Sequence, residues 1–90
     1  MMVLLMMVIR KLGGKVFRFE RDAVLRILES LEAESLTGRK KLYIEHGDKK
    51  FPVKQIIAAL TGIPRSMFTT ADACEILIRL GFEVKEWRGE

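Results

Sequence analysis

The chain has 90 residues, 49% hydrophobic and 31% charged, so it is neither disordered nor low-complexity and holds enough apolar residue for one small core but not two. With one cysteine, Cys74, and one histidine, His46, it offers neither an intramolecular disulfide nor a Cys/His zinc site. A formal net charge of +4 and a pI near 9.5 favour polyanionic partners.

The first nine residues, MMVLLMMVI, are wholly apolar and are followed by Arg10 and Lys11. That run falls short of the about 20 apolar residues of a membrane span. A signal peptide carries its basic residues before the apolar stretch, not after it. We therefore expect a cytoplasmic chain with no membrane partner. Three readings of the run stand side by side. It is a strand that turns at Gly13-Gly14 into KVFRFE; or a greasy edge that makes a homodimer through residues 2–9; or the chain starts at Met6 or Met7 rather than Met1.

Farther on, Ala23, Val24, Ile27, Leu28 and Leu31 recur at helical spacing, which predicts a helix over 21–35 that ends at Leu36-Thr37-Gly38. LYIEH alternates, Gly47-Asp48 turns and KKF returns, a hairpin over 42–51. Pro52 suits the first turn of a second helix with an apolar stripe at Val53, Ile56, Ile57 and Leu60, stopped by Gly62 and Pro64. Thr69 or Thr70 caps a third helix, with Asp72 in its first turn and Ala73, Ile76, Leu77 and Leu80 on one face. FEVKEW alternates as a last strand. The expectation is one α+β domain over 1–90: an apolar strand or hairpin over 1–19, then helix, hairpin, helix, helix and strand over 21–84. Three helices would pack on a small antiparallel sheet. A winged helix is the analogy, with the helix pair as helix-turn-helix and the 42–51 hairpin as wing.

Charge is concentrated. Residues 39–65 carry Arg39, Lys40, Lys41, Lys49, Lys50, Lys54 and Arg65 against only Glu45 and Asp48, a larger excess than that of the whole chain. A hairpin with basic residues at both ends, feeding a helix whose start has free backbone N–H groups, suits phosphate. Antiparallel pairing would bring Arg39, Lys40 and Lys41 onto one edge with Lys49 and Lys50. The plainer alternative is solvated lysines that protect a strand edge.

The string YIEHGDKKFPVKQIIAALTGIPRSMFTTADACEILIRLGFEV, residues 43–84, carries a further pattern. An aromatic strand start (Tyr43) is followed by a glycine turn with basic residues (Gly47, Lys49, Lys50) and an aromatic-Pro-x-Lys helix start (Phe51, Pro52, Lys54). Gly62, Phe68 with Thr69 or Thr70, and a closing Leu80-Gly81-Phe82 complete it. This stretch resembles a small accessory module of HNH-type and other modification-dependent restriction endonucleases. The resemblance implies DNA association through Lys49, Lys50 and Lys54, beside a nuclease partner chain. It implies no catalysis here, since the chain has no HNH motif.

Other residues have bland readings beside sharp ones. His46, two residues before Asp48, sits at a solvated turn that makes a poor active site. Cys74 reads as a small buried hydrophobe. Tyr43 and Phe51 could stack on bases, although Phe51 before Pro52 reads better as a packing anchor. Arg65, Ser66, Thr69 and Thr70 could contact phosphate from the turn between the helices. No Walker, Rossmann or paired-carboxylate motif occurs. The expectation is a non-catalytic module with no cofactor that binds nucleic acid, DNA before RNA, through Arg39, Lys40, Lys41, Lys49, Lys50, Lys54 and Arg65. The rival is a homo-oligomerising or protein-interaction domain that uses the apolar N-terminus.

Overall fold

Gly13 and Gly14 fold the chain back with φ of 58° and 82°, angles that L side chains rarely adopt. Around this turn, in a computed structural model that describes residues 7–38 and 40–89, β1 (Met7–Leu12) pairs antiparallel with β2 (Lys15–Glu20). The alternative starts at Met1 and Met6, most of the 2–9 edge, and Arg39 lie outside the described residues. Alternation then sorts the hairpin's two faces. Val8, Leu12 and Phe19 turn to the core, whereas Met7, Ile9 and Val16 stay exposed on the other face.

Helix α1 (Arg21–Ser30) follows directly and ends at Leu31, whose backbone is extended (φ −75°, ψ 138°). It is shorter than the 21–35 expected from its apolar spacing. Leu31 and Ala33 are half-buried while Glu32 and Glu34 are exposed, a period of two that belongs to extended chain. The backbone bonds that a longer helix would have made go instead to one side chain. Gln55, buried to 5% exposure, donates to the Glu32 carbonyl at 2.6 Å and accepts from the Glu34 N–H at 3.1 Å.

A three-stranded antiparallel sheet places β3 (Lys40–His46) between β4 (Lys49–Pro52) and β5 (Lys85–Arg88). In its register His46 faces Lys49, Glu45 faces Lys50, and Lys41 faces Trp87. Helix α2 (Val53–Thr61) leaves β4 at Pro52 and ends on Gly62, left-handed at φ 77°. A 3-10 turn, Arg65–Met67, leads to α3 (Thr70–Arg79). There Thr69 accepts from the Asp72 N–H and Asp72 accepts from the Thr69 N–H, both at 3.0 Å, a reciprocal capping box.

The fold is α+β, three helices with two small antiparallel sheets. Both sheets pack on the same apolar cluster, centred on the fully buried Phe51, Ile56, Ile57, Ile76, Leu77 and Leu80. Arg10 fastens the first sheet to α3, reaching Asp72 at 2.6 Å and also Glu75. The α2–α3 connection, residues 62–69, is longer than the roughly three- to four-residue turn of a helix-turn-helix, so the winged helix is no more than an analogy. Among the described residues no helix is long and apolar enough to cross a membrane.

Candidate nucleic-acid interface

Three stretches of sequence converge where β3 begins and α2 begins. Lys40 and Lys41 come from the first residues of β3, Lys54 from the first turn of α2, and Arg65 from the 3-10 turn. All four line a cleft of about 550 Å3. Glu34, Ser35 and Thr37 from the extended segment and Thr70 from the start of α3 bring oxygen groups to the same cleft. Leu42, Pro52 and Val53 supply its apolar lining.

The start of α2 has a particular electrostatic character. Proline at the cap position offers no side-chain oxygen, no side-chain cap bond is made, and no acidic residue lies in the first turn. The first N–H groups of a helix have no intrahelical partner, and the helix dipole is positive at that end. The cleft therefore combines lysine ammonium groups with helix amides that α2 itself does not satisfy.

The cations differ in how far they are committed. Arg65 makes a two-pronged ion pair with Glu34, with one N–H donating at 2.7 Å. That hydrogen bond, helped by the charges of Arg65 and Lys41, holds the Glu34 carboxyl below its ordinary range, and Arg65 is raised in turn. Lys40 lies 3.0 Å from Glu86, whose carboxyl is lowered chiefly by that contact. Lys54 has its Nζ 5.2 Å from the centre of the Phe68 ring. Among the described residues, neither Lys41 nor Lys54 makes an ion pair.

Lys49 and Lys50 are elsewhere. Opposite His46 and Glu45, they occupy the turn end of the hairpin, roughly 20 Å along β3 from Lys40 at the rise of a strand. The hairpin register thus separates the two basic groups that antiparallel pairing was expected to join. Lys50 lies over the Tyr43 ring at 5.7 Å. Tyr43 is 9% exposed and Phe51 fully buried, so neither ring is open to a base and the packing reading of Phe51 holds. His46 is 3.2 Å from Glu29 of α1, and Asp48 is not its partner. Cys74 is a half-buried free thiol.

Two contributors escaped sequence reasoning. Glu34 places a carboxylate inside a basic cleft, and its partner Arg65 is far away in sequence, so no local pattern reveals the pair. Gln55, which positions the Glu34 segment, is the chain's one glutamine. Its place on an apolar helix was a signal, but its partners are backbone atoms.

A second hollow, near Arg21, Glu45, His46, Glu83 and Lys85, mixes both signs of charge. There Lys85 lies 2.8 Å from Glu45, lowering that carboxyl and being raised by it. The fold and the first cleft together define a small α+β domain with a basic recess at a helix start. The chain belongs to the SCO5918-like family, which matches residues 7–90. No curated protein and no solved structure matches it.

Proposed function

We propose that the protein is a non-catalytic nucleic-acid-binding module, for DNA first, that takes backbone phosphate in the cleft between β3 and α2. Lys41 and Lys54 are the leading contacts, with Lys40 beside them and Lys49 and Lys50 as a second point of contact. The convergence of Lys40, Lys41, Lys54 and Arg65 on one cleft carries this reading. A run of solvated lysines protecting a strand edge has no reason to gather from separate stretches at an uncapped helix start. The two basic groups, roughly 13 Å (Lys41 to Lys50) to 20 Å (Lys40 to Lys49) apart along β3, match about four to six base pairs of duplex axis at 3.4 Å per step. The resemblance of residues 43–84 to restriction-enzyme accessory modules supports DNA as the polymer and a nuclease chain as a partner.

The test is fluorescence anisotropy with labelled duplex and single-stranded DNA over a salt series. Binding should weaken steeply with salt and show little sequence preference. Lys41→Ala/Lys54→Ala should weaken binding at least about ten-fold at low salt and flatten the log–log salt slope by about two. A double variant that binds as tightly as the wild type would remove the cleft from the interface.

One observation favours a second reading, homo-oligomerisation. Met7, Ile9 and Val16, exposed at 46%, 60% and 69%, share the outer face of the β1–β2 hairpin.

A further inference from the structure

The cleft contains its own anion. Glu34 lines it together with Lys40, Lys41, Lys54 and Arg65, and its carboxylate is paired two-pronged with the Arg65 guanidinium. Arg65 thereby offers its fork to an internal carboxylate of the geometry that a phosphate would otherwise use. Glu34 also stands on extended chain that belongs to no helix or strand and is held from below by Gln55.

We propose that Glu34 is a specificity-determining residue of the cleft: its carboxylate occupies the guanidinium of Arg65, so that phosphate meets the lysines alone. This inference rests on the nucleic-acid reading above and adds to it the identity of the group that limits affinity. Glu34 and Arg65 side chains are each 45% exposed. An exposed pair of this kind is weakly held, so it sets affinity by competition rather than closing the cleft. A ligand must either displace the carboxylate to gain the arginine or bind without it. The arrangement disfavours weak, single-phosphate contacts and tolerates a polyanion that presents several phosphates at once.

The competition has a signature that a merely structural ion pair lacks. While Glu34 is present, Arg65 donates nothing to phosphate, but Arg65→Ala leaves the Glu34 carboxylate unpaired among the lysines, so it should lower DNA affinity a few-fold through that charge alone. Glu34→Gln removes the competing charge and frees the guanidinium. It should raise affinity on the order of ten-fold at 50 mM salt and steepen the salt slope by about 0.9, one further phosphate contact. Joined to Arg65→Ala, the gain over the wild type should disappear, because both charges of the pair are then gone. Glu32→Gln is the control: it makes the same change of net charge on the same segment, but Glu32 does not line the cleft.

Anisotropy with one labelled duplex, measured on the full chain and all four variants, decides the matter. A gain in Glu34→Gln well above that of Glu32→Gln, lost in the double variant, supports the competition. Equal gains in both glutamine variants, or a Glu34→Gln gain that survives Arg65→Ala, would overturn it while leaving the binding reading standing. Absence of binding by the wild type and by Glu34→Gln alike would overturn both. Circular dichroism of each variant confirms that the fold is intact.

Discussion

Gln55 shows how a single side chain can shape a site it does not touch. Its carboxamide donates to Glu32 and accepts from Glu34, replacing a pair of backbone bonds, and no buried side-chain polar atom among the described residues lacks a partner. Gln55→Leu keeps the volume but strands an N–H and a carbonyl on the 32–34 backbone. The loss should be about 1–3 kcal/mol, read as a lower urea midpoint with unchanged slope. Because Glu34 rides on that segment, the variant should also weaken the Glu34–Arg65 pair. An unchanged midpoint would mean that water replaces the carboxamide and that the segment needs no clamp. The chain's one glutamine was visible in the sequence, as were the basic residues. The partners of both were not, because a bond to a distant backbone atom or a pair such as Glu34 with Arg65 leaves no spacing to read.

At the scale of elements, the starts of α2 and α3 are opposites. Helix α3 closes its first N–H groups with the Thr69–Asp72 box, and α2 begins at a proline with nothing in that place. Asp72 is held below its ordinary value of 3.8, first by the Thr69 N–H and further by the Thr69 hydroxyl and the charge of Arg10. Glu34, Glu45 and Glu86 are held below 4.5 by Arg65, Lys85 and Lys40 respectively. Each carboxyl binds its proton more readily in the unfolded chain than in the folded one. The stability they confer is therefore complete above about pH 4.5 and shrinks as the pH falls through the folded values. Urea midpoints should hold between pH 7 and 5 and drop below that. Thr69→Ala, which removes the hydroxyl half of the box, should cost about 1 kcal/mol at pH 7 and lessen the acid-induced drop. A variant that kept the full drop would take the Thr69 hydroxyl out of the acid response and leave the Thr69 N–H as what holds Asp72. The glycine turns, both hairpins, the proline start of α2 and the cap of α3 were all legible, since each rests on local backbone chemistry. The end of α1 was not, because there a tertiary contact from α2 overrides helical spacing.

For the whole molecule the deciding quantity is area. The basic cleft and the exposed face of the β1–β2 hairpin make different demands on assembly: a phosphate cleft serves a monomer, whereas a greasy sheet face asks for a cover. Two strands of about 20 Å at about 5 Å spacing cover on the order of 200 Å2 in projection, a narrow patch on which to build the roughly 800 Å2 of accessible surface that each partner contributes to a stable interface. Lys11, Arg18 and Glu20 interrupt Met7, Ile9 and Val16 on that face, which reduces the apolar share further. The described face is thus a narrow patch broken by charges, which favours the monomer. Sedimentation at micromolar concentration of the chain begun at Met7 should give its monomer mass, with or without Ile9→Lys/Val16→Lys, and the lysine variant should bind DNA no more weakly than its parent. A mass of twice that value which reverts to monomer in the lysine variant would put assembly first and make the cleft one half of a paired surface. A dimer that survives the variant would place the contact elsewhere, and the hairpin face would then be ordinary exposed apolar surface.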